Sequence, residues 1–190
     1  MKMNQKQMKV RDMTLTAVMA ALICVAGPLV VPIGPIPLSL ASFAVYLAGA
    51  VLGSRRGTLA VALYLLIGLI GIPVFSGFSG GFQKLAGVTG GYLVGYLPCA
   101  FLSGLGGERA EERHRRWILP LMMVLGTAVL YLIGTAWFMF VYARQSGAIG
   151  LGTALAWCVI PYLIPDAIKI ALATFLTKRL YPLLKKGSTA

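Results

Sequence analysis

Ile164-Pro165-Asp166-Ala167-Ile168-Lys169 opens the last long apolar stretch of the chain. Asp166 and Lys169 are three residues apart, so a helix places them on one face. Pro165 suits a first helical turn, and Asp166 then lies where the helix dipole favours an anion. Charges inside the hydrocarbon are costly and usually face one another or a polar cavity. Two readings follow. One is a local ion pair with dipole compensation near the membrane surface. The other, which we prefer, is a pair that addresses a polar, partly anionic solute: a carboxylate accepts from N–H groups, and an ammonium donates to carbonyl or carboxylate oxygens.

Covalent or metal chemistry finds little support. Gly77-Phe78-Ser79-Gly80-Gly81 fits G-x-S-x-G, but that chemistry needs a base within reach of the serine. The sole histidine, His114, stands in a basic loop that the topology below puts on the opposite membrane face, and it reads as a solvated loop residue. Cys24, Cys99 and Cys158 lie singly in apolar runs and read as packing residues. One histidine and no carboxylate cluster predict no metal site. No G-x-x-x-x-G-K-[ST] run occurs, so the chain has no P-loop of its own. No catalytic residue is assigned.

The elements that must position the pair are membrane helices. Hydrophobic residues make up 58% of the 190 and charged residues 12%, with 17 Lys+Arg against 5 Asp+Glu. A net charge of +12 is compatible with nucleic-acid binding in general, but here apolar blocks too long for a soluble reader interrupt it. The expectation is an all-α, polytopic membrane protein, one domain over residues 1–190. Its six transmembrane helices fall at about 13–31, 39–53, 58–72, 90–106, 117–142 and 165–184, and an apolar piece at about 151–163 precedes the last. The segment from Met13 is longer than a signal-peptide core and reads as a retained first helix. With the N-terminus inside, only Lys84 and Arg144 fall outside and Lys169 lies within a span. The remaining basic residues all face the cytoplasm. Both termini are therefore expected to be cytoplasmic.

The connections after helices 1 and 3 are rich in Pro and Gly and nearly free of charge. Irregular backbone at the hydrocarbon needs internal partners or a cavity, which predicts that the segment between Pro73 and Gly90 folds over the helices as a lid. Ala17-x-x-x-Ala21, Gly49-x-x-x-Gly53, Gly87-x-x-x-Gly91 and Gly91-x-x-x-Gly95 are spacings that let helices approach closely. Gly49 and Gly53 read as internal packing. Ala17 and Ala21 can also take a partner helix.

Together, Gly71-Ile-Pro-Val-Phe75, Ser79-Gly-Gly81, Gly87-Val-Thr-Gly-Gly-Tyr92-Leu-Val-Gly95-Tyr96 and Pro165-Asp-x-x-Lys169 resemble the BioY family. These are the biotin-specific substrate-binding (S) components of energy-coupling factor (ECF) transporters. The likeness runs over about residues 13–184, with two departures: Val88 where the family usually has Pro, and Pro165 where it usually has Gly. The resemblance implies a plasma-membrane S component that binds biotin at the outer side, under loops that gate the ligand. It is no enzyme and needs no cofactor. Its partners are a transmembrane coupling subunit and two cytoplasmic ATPases, with Ala17 and Ala21 as the docking face. Biotin offers two ureido N–H donors, a ureido oxygen, an apolar thioether ring and a carboxylate tail. Asp166 suits the N–H groups, and Lys169 suits the ureido oxygen or the tail. Gly80, Gly81, Gly90 and Gly91 allow close backbone approach, Phe75, Phe82 or Tyr92 can wall the ring, and Gln83 and Thr89 are secondary polar contacts. The alternatives are an S component for another vitamin, such as thiamine or riboflavin, and a stand-alone small carrier.

Overall fold

The structure, a computed structural model, describes residues 5–32, 36–112, 115 and 117–186. Pro35, His114 and the loop arginines Arg113 and Arg116 lie outside the described residues. Helices dominate: α1 (Gln5–Ala26), α2 (Ala41–Leu52), α3 (Ser54–Leu69), α4 (Phe82–Ala86), α5 (Gly90–Glu112), α6 (Ile118–Ser146), α7 (Leu151–Cys158) and α8 (Leu163–Lys186). The six longest fall where the sequence places its six. The described residues hold eight because the α3–α5 connection winds a short helix and the apolar piece before α8 is a helix of its own. α6 and the Leu151–Leu180 stretch are long and apolar enough to cross a bilayer.

The boundaries differ for physical reasons. α1 begins two turns earlier than hydropathy predicts, because the polar run through Asp12 is built mostly of straight-chain helix formers. It stops at Gly27-Pro28, where proline has no N–H to continue the ladder. The basic segment from Ser54 is no loop but the first turn of α3. Gly53 alone reverses the chain, at φ 84°, and Glu108 on α5 accepts from the Ser54 backbone N–H at 2.8 Å and from its hydroxyl at 3.0 Å. A carboxylate at a helix N-terminus satisfies an orphan donor and suits the dipole. α5 runs on through the charged Glu108–Glu112 segment, past the predicted end.

α2 is the innermost helix and touches α1, α3, α5 and α8. Its small residues permit this: a Cβ on Gly49 would sit 3.0 Å from the Ser103 Cβ, so α2 and α5 approach almost to backbone contact. Gly91 and Gly95 face Trp137 and Leu130 of α6, and α5 and α6 pack closely along their length.

Two connections gather at the end of the molecule where α8 begins. The α1–α2 connection forms a small antiparallel hairpin, β1 (Val30–Val31) with β2 (Leu38–Ser39), in place of the expected loop. The α3–α5 connection bends back through a Phe75–Ser79 bridge, and Gly77 N–H donates to the Pro28 carbonyl at 3.2 Å. The two segments are thereby joined to each other. Trp137 Nε1 donates to the Gly87 carbonyl at 2.9 Å, which ties the second of them to α6.

Candidate functional site

A 3-10 turn (Ile160–Tyr162) follows α7 and leads straight into α8, so that Pro165 and Asp166 fall in the first helical turn. Proline costs no hydrogen bond there. Asp166 and Lys169 form an ion pair, Nζ to Oδ1 at 3.0 Å, with each side chain 8% exposed. Lys169 also donates to the Ser39 carbonyl at 2.7 Å and to the Ser42 hydroxyl at 2.9 Å. Its three donors are thus fully assigned. Asp166 Oδ2 accepts from the Tyr131 hydroxyl at 2.6 Å. Each carboxylate oxygen carries one bond and keeps acceptor capacity. The pair therefore presents an acceptor, not a donor, to anything that enters.

What it faces is a cavity between the hairpin, α5, α6 and α8, with about 610 Å³ of empty space counting its mouth. Of the residues expected to touch ligand, Asp166, Lys169, Tyr92 and Thr89 line it, and so does Cys158, which reads from the sequence as a packing residue. The others do not. Phe75 is fully buried behind the wall, edge-on to Tyr64 at 5.4 Å between ring centroids, and it is Tyr64 that lines the cavity. Phe82 (71% exposed) and Gln83 sit on the outer side of α4, away from the lining, because α4 has no buried residue to hold it inward. Gly90 and Gly91 serve helix packing: a side chain would strike the Leu85 carbonyl at the first and Trp137 at the second. Gly80 lets the connection pass the Gly71–Ile72 backbone, and Gly81, at φ 88°, turns it so that its N–H reaches the Gly68 carbonyl at 2.7 Å.

Sequence reasoning missed the rest of the lining, chiefly Ser39, Ser42, Tyr131 and Tyr162. One signal was present. Thr127, Tyr131 and Thr135 are spaced by four along an otherwise apolar helix, hence on one face. Each meets a different helix: Thr127 bonds Tyr46 of α2 at 2.7 Å, Tyr131 bonds Asp166 of α8, and Thr135 bonds Tyr92 of α5 at 3.2 Å. Hydroxyls in an apolar span seek such partners. The contact of the Tyr162 hydroxyl with the Ile36 carbonyl, which fixes the hairpin to the 3-10 turn, has no comparable signature. Ala17 and Ala21 are exposed on α1, whereas Ala20 and Ile23 point into the core. Among the described residues no group of three or more His, Cys, Asp or Glu converges.

A helical membrane protein that closes a small-molecule cavity over a buried ion pair has the build of a transporter's binding subunit. The sequence profile of the BioY family matches residues 2–186, and the chain belongs to that family. It is similar to the probable biotin transporter BioY of Pyrococcus horikoshii, at 39% identity over 91% of this chain and 98% of the relative. It is also similar to the biotin transporter BioY of Thermotoga maritima, at 38% identity over 90% and 95%. The crystal structure of the S-component for biotin from an ECF-type ABC transporter superposes with a TM-score of 0.82 at 31% identity, covering 94% of each chain.

Proposed function

We propose that the protein binds biotin with high affinity and serves its uptake as the S component of an ECF transporter. The observation that carries this reading is the buried Asp166–Lys169 pair that lines the cavity, in a chain of the BioY family. With all three Lys169 donors matched within the protein and acceptor sites left on Asp166, the pair suits a ligand's N–H groups. The ureido ring is the part of biotin that offers them. Biotin's own carboxylate, repelled by Asp166, points away toward the mouth. Tyr92, Tyr64 and Leu93 flank the thioether ring, and Thr89 lies within reach as a secondary polar group.

The chain is one membrane domain of six spans, with α1, α2, α3, α5, α6 and α8 crossing the bilayer and both termini in the cytoplasm. The hairpin and the α3–α5 connection are then outside, where they gate the cavity. The protein has no ATPase of its own. A transmembrane coupling subunit and two cytoplasmic ATPases energise it, and the exposed Ala17 and Ala21 offer the small-residue surface on which a coupling helix can seat. Calorimetry of the detergent-solubilised protein with biotin, riboflavin and thiamine tests the assignment. Tight one-to-one binding of biotin alone is expected. Heat with one of the other vitamins and none with biotin, in folded protein, overturns it.

A further inference from the structure

We propose that Tyr131 is the positioning residue that aims the Asp166 carboxylate at its ligand and so sets the affinity for a ureido ring. The inference rests on the reading of the cavity as a biotin site. Asp166 and Lys169 are both on α8, three residues apart, and their bond fixes only Oδ1. The terminal torsion of an aspartate is broad and roughly two-fold, so one contact leaves the carboxylate free to swing. Tyr131 supplies the second contact from the facing helix, donating to Oδ2 at 2.6 Å. Held at both oxygens, the carboxylate has a defined plane, and its unused lone pairs have a defined direction. Tyr131 is itself well placed to hold still. One turn to either side of it, Thr127 and Thr135 bond α2 and α5, so this face of α6 cannot rotate without breaking both.

The hydroxyl thus acts through Asp166, not on the ligand, and that distinction can be measured. A double-mutant cycle isolates it: biotin is titrated calorimetrically into the full-length wild type, Tyr131→Phe, Asp166→Asn and the double variant. Tyr131→Phe removes one oxygen and keeps the ring, and a melting curve on each variant verifies folding. The expected result is a loss of about tenfold from Tyr131→Phe in the wild-type background, the effect of freeing the carboxylate to swing out of its plane. In the Asp166→Asn background the same change should cost less than about twofold. A second arm uses biotin methylated on its ureido nitrogens, for which Tyr131→Phe should again cost little; this arm decides the matter where Asp166→Asn binds too weakly to titrate. Equal losses in both backgrounds, or equal losses for biotin and its methylated form, overturn the proposal, as does an unchanged affinity in Tyr131→Phe. Full affinity in Asp166→Asn removes the cavity reading itself, an outcome distinct from failure of Tyr131 alone.

Discussion

Lys169 Nζ donates to the Ser39 carbonyl at 2.7 Å, across 130 positions of sequence, and so joins α8 to the second strand of the α1–α2 hairpin. The same ammonium holds the Ser42 hydroxyl and Asp166. A single buried charge therefore ties together the helix that carries the site, the first turn of α2 and the segment that covers the cavity. One residue thus belongs both to the ion pair and to the anchoring of the hairpin.

That double duty can be separated by mutation. Lys169→Met leaves Asp166 buried with Tyr131 as its one remaining partner. It should destabilise the protein by about 3–5 kcal/mol, the usual cost of breaking a buried pair. Replacing both charges, as Asp166→Leu with Lys169→Met, should recover most of the melting temperature, because two well-packed apolar side chains need no partner. Biotin binding should be lost in both. A double variant that melts like the single one would show that the two apolar side chains do not pack in place of the pair.

Gly134 on α6 faces the Tyr92 ring, and a methyl group there would collide with it. Gly134→Ala must push the ring toward the cavity or part α5 from α6, at a cost of about 1–3 kcal/mol in overpacking. Titration with biotin should show a loss of about tenfold, the effect of 1.4 kcal/mol on binding. An unaltered affinity would remove Tyr92 from the wall of the site.

How much of the site and fold is legible in the sequence follows from how local each feature is. The Asp166–Lys169 pair is readable because two opposite charges three residues apart, in an apolar stretch, must meet on one helix face and need a polar environment. Helix ends are legible only to within a turn: the first helix, expected to run to about 31, stops at Ala26 before Gly27-Pro28, and the third, expected to reach about 72, stops at Leu69. The Ser54 cap by Glu108 is not readable, since the two are 54 positions apart and the segment looks like an ordinary basic turn. Phe75 reads as a wall residue on type alone, whereas Gly68 opens a slot that takes its ring into the layer behind Tyr64. Ser39 enters the site through its backbone carbonyl, which no side-chain argument would single out.

The exposed face of α1 gives a prediction independent of the cavity. Ala17→Trp or Ala21→Trp adds bulk where the structure is open, so stability should change by no more than about 0.5 kcal/mol. Biotin binding should be unchanged. Co-purification with the coupling subunit and ATPases, and uptake by cells, should be abolished. Normal assembly of both variants would move the docking surface elsewhere.

Asp166, buried in the cavity lining, is the residue we propose to recognise biotin. The most direct test is a parallel calorimetric titration of folded wild-type protein and Asp166→Asn with biotin. One-to-one, tight binding by the wild type is expected, with a loss of about 1.5–3 kcal/mol in the variant, the worth of a hydrogen bond to a charged group. Absence of heat in the wild type, or the same affinity in both proteins, would contradict it.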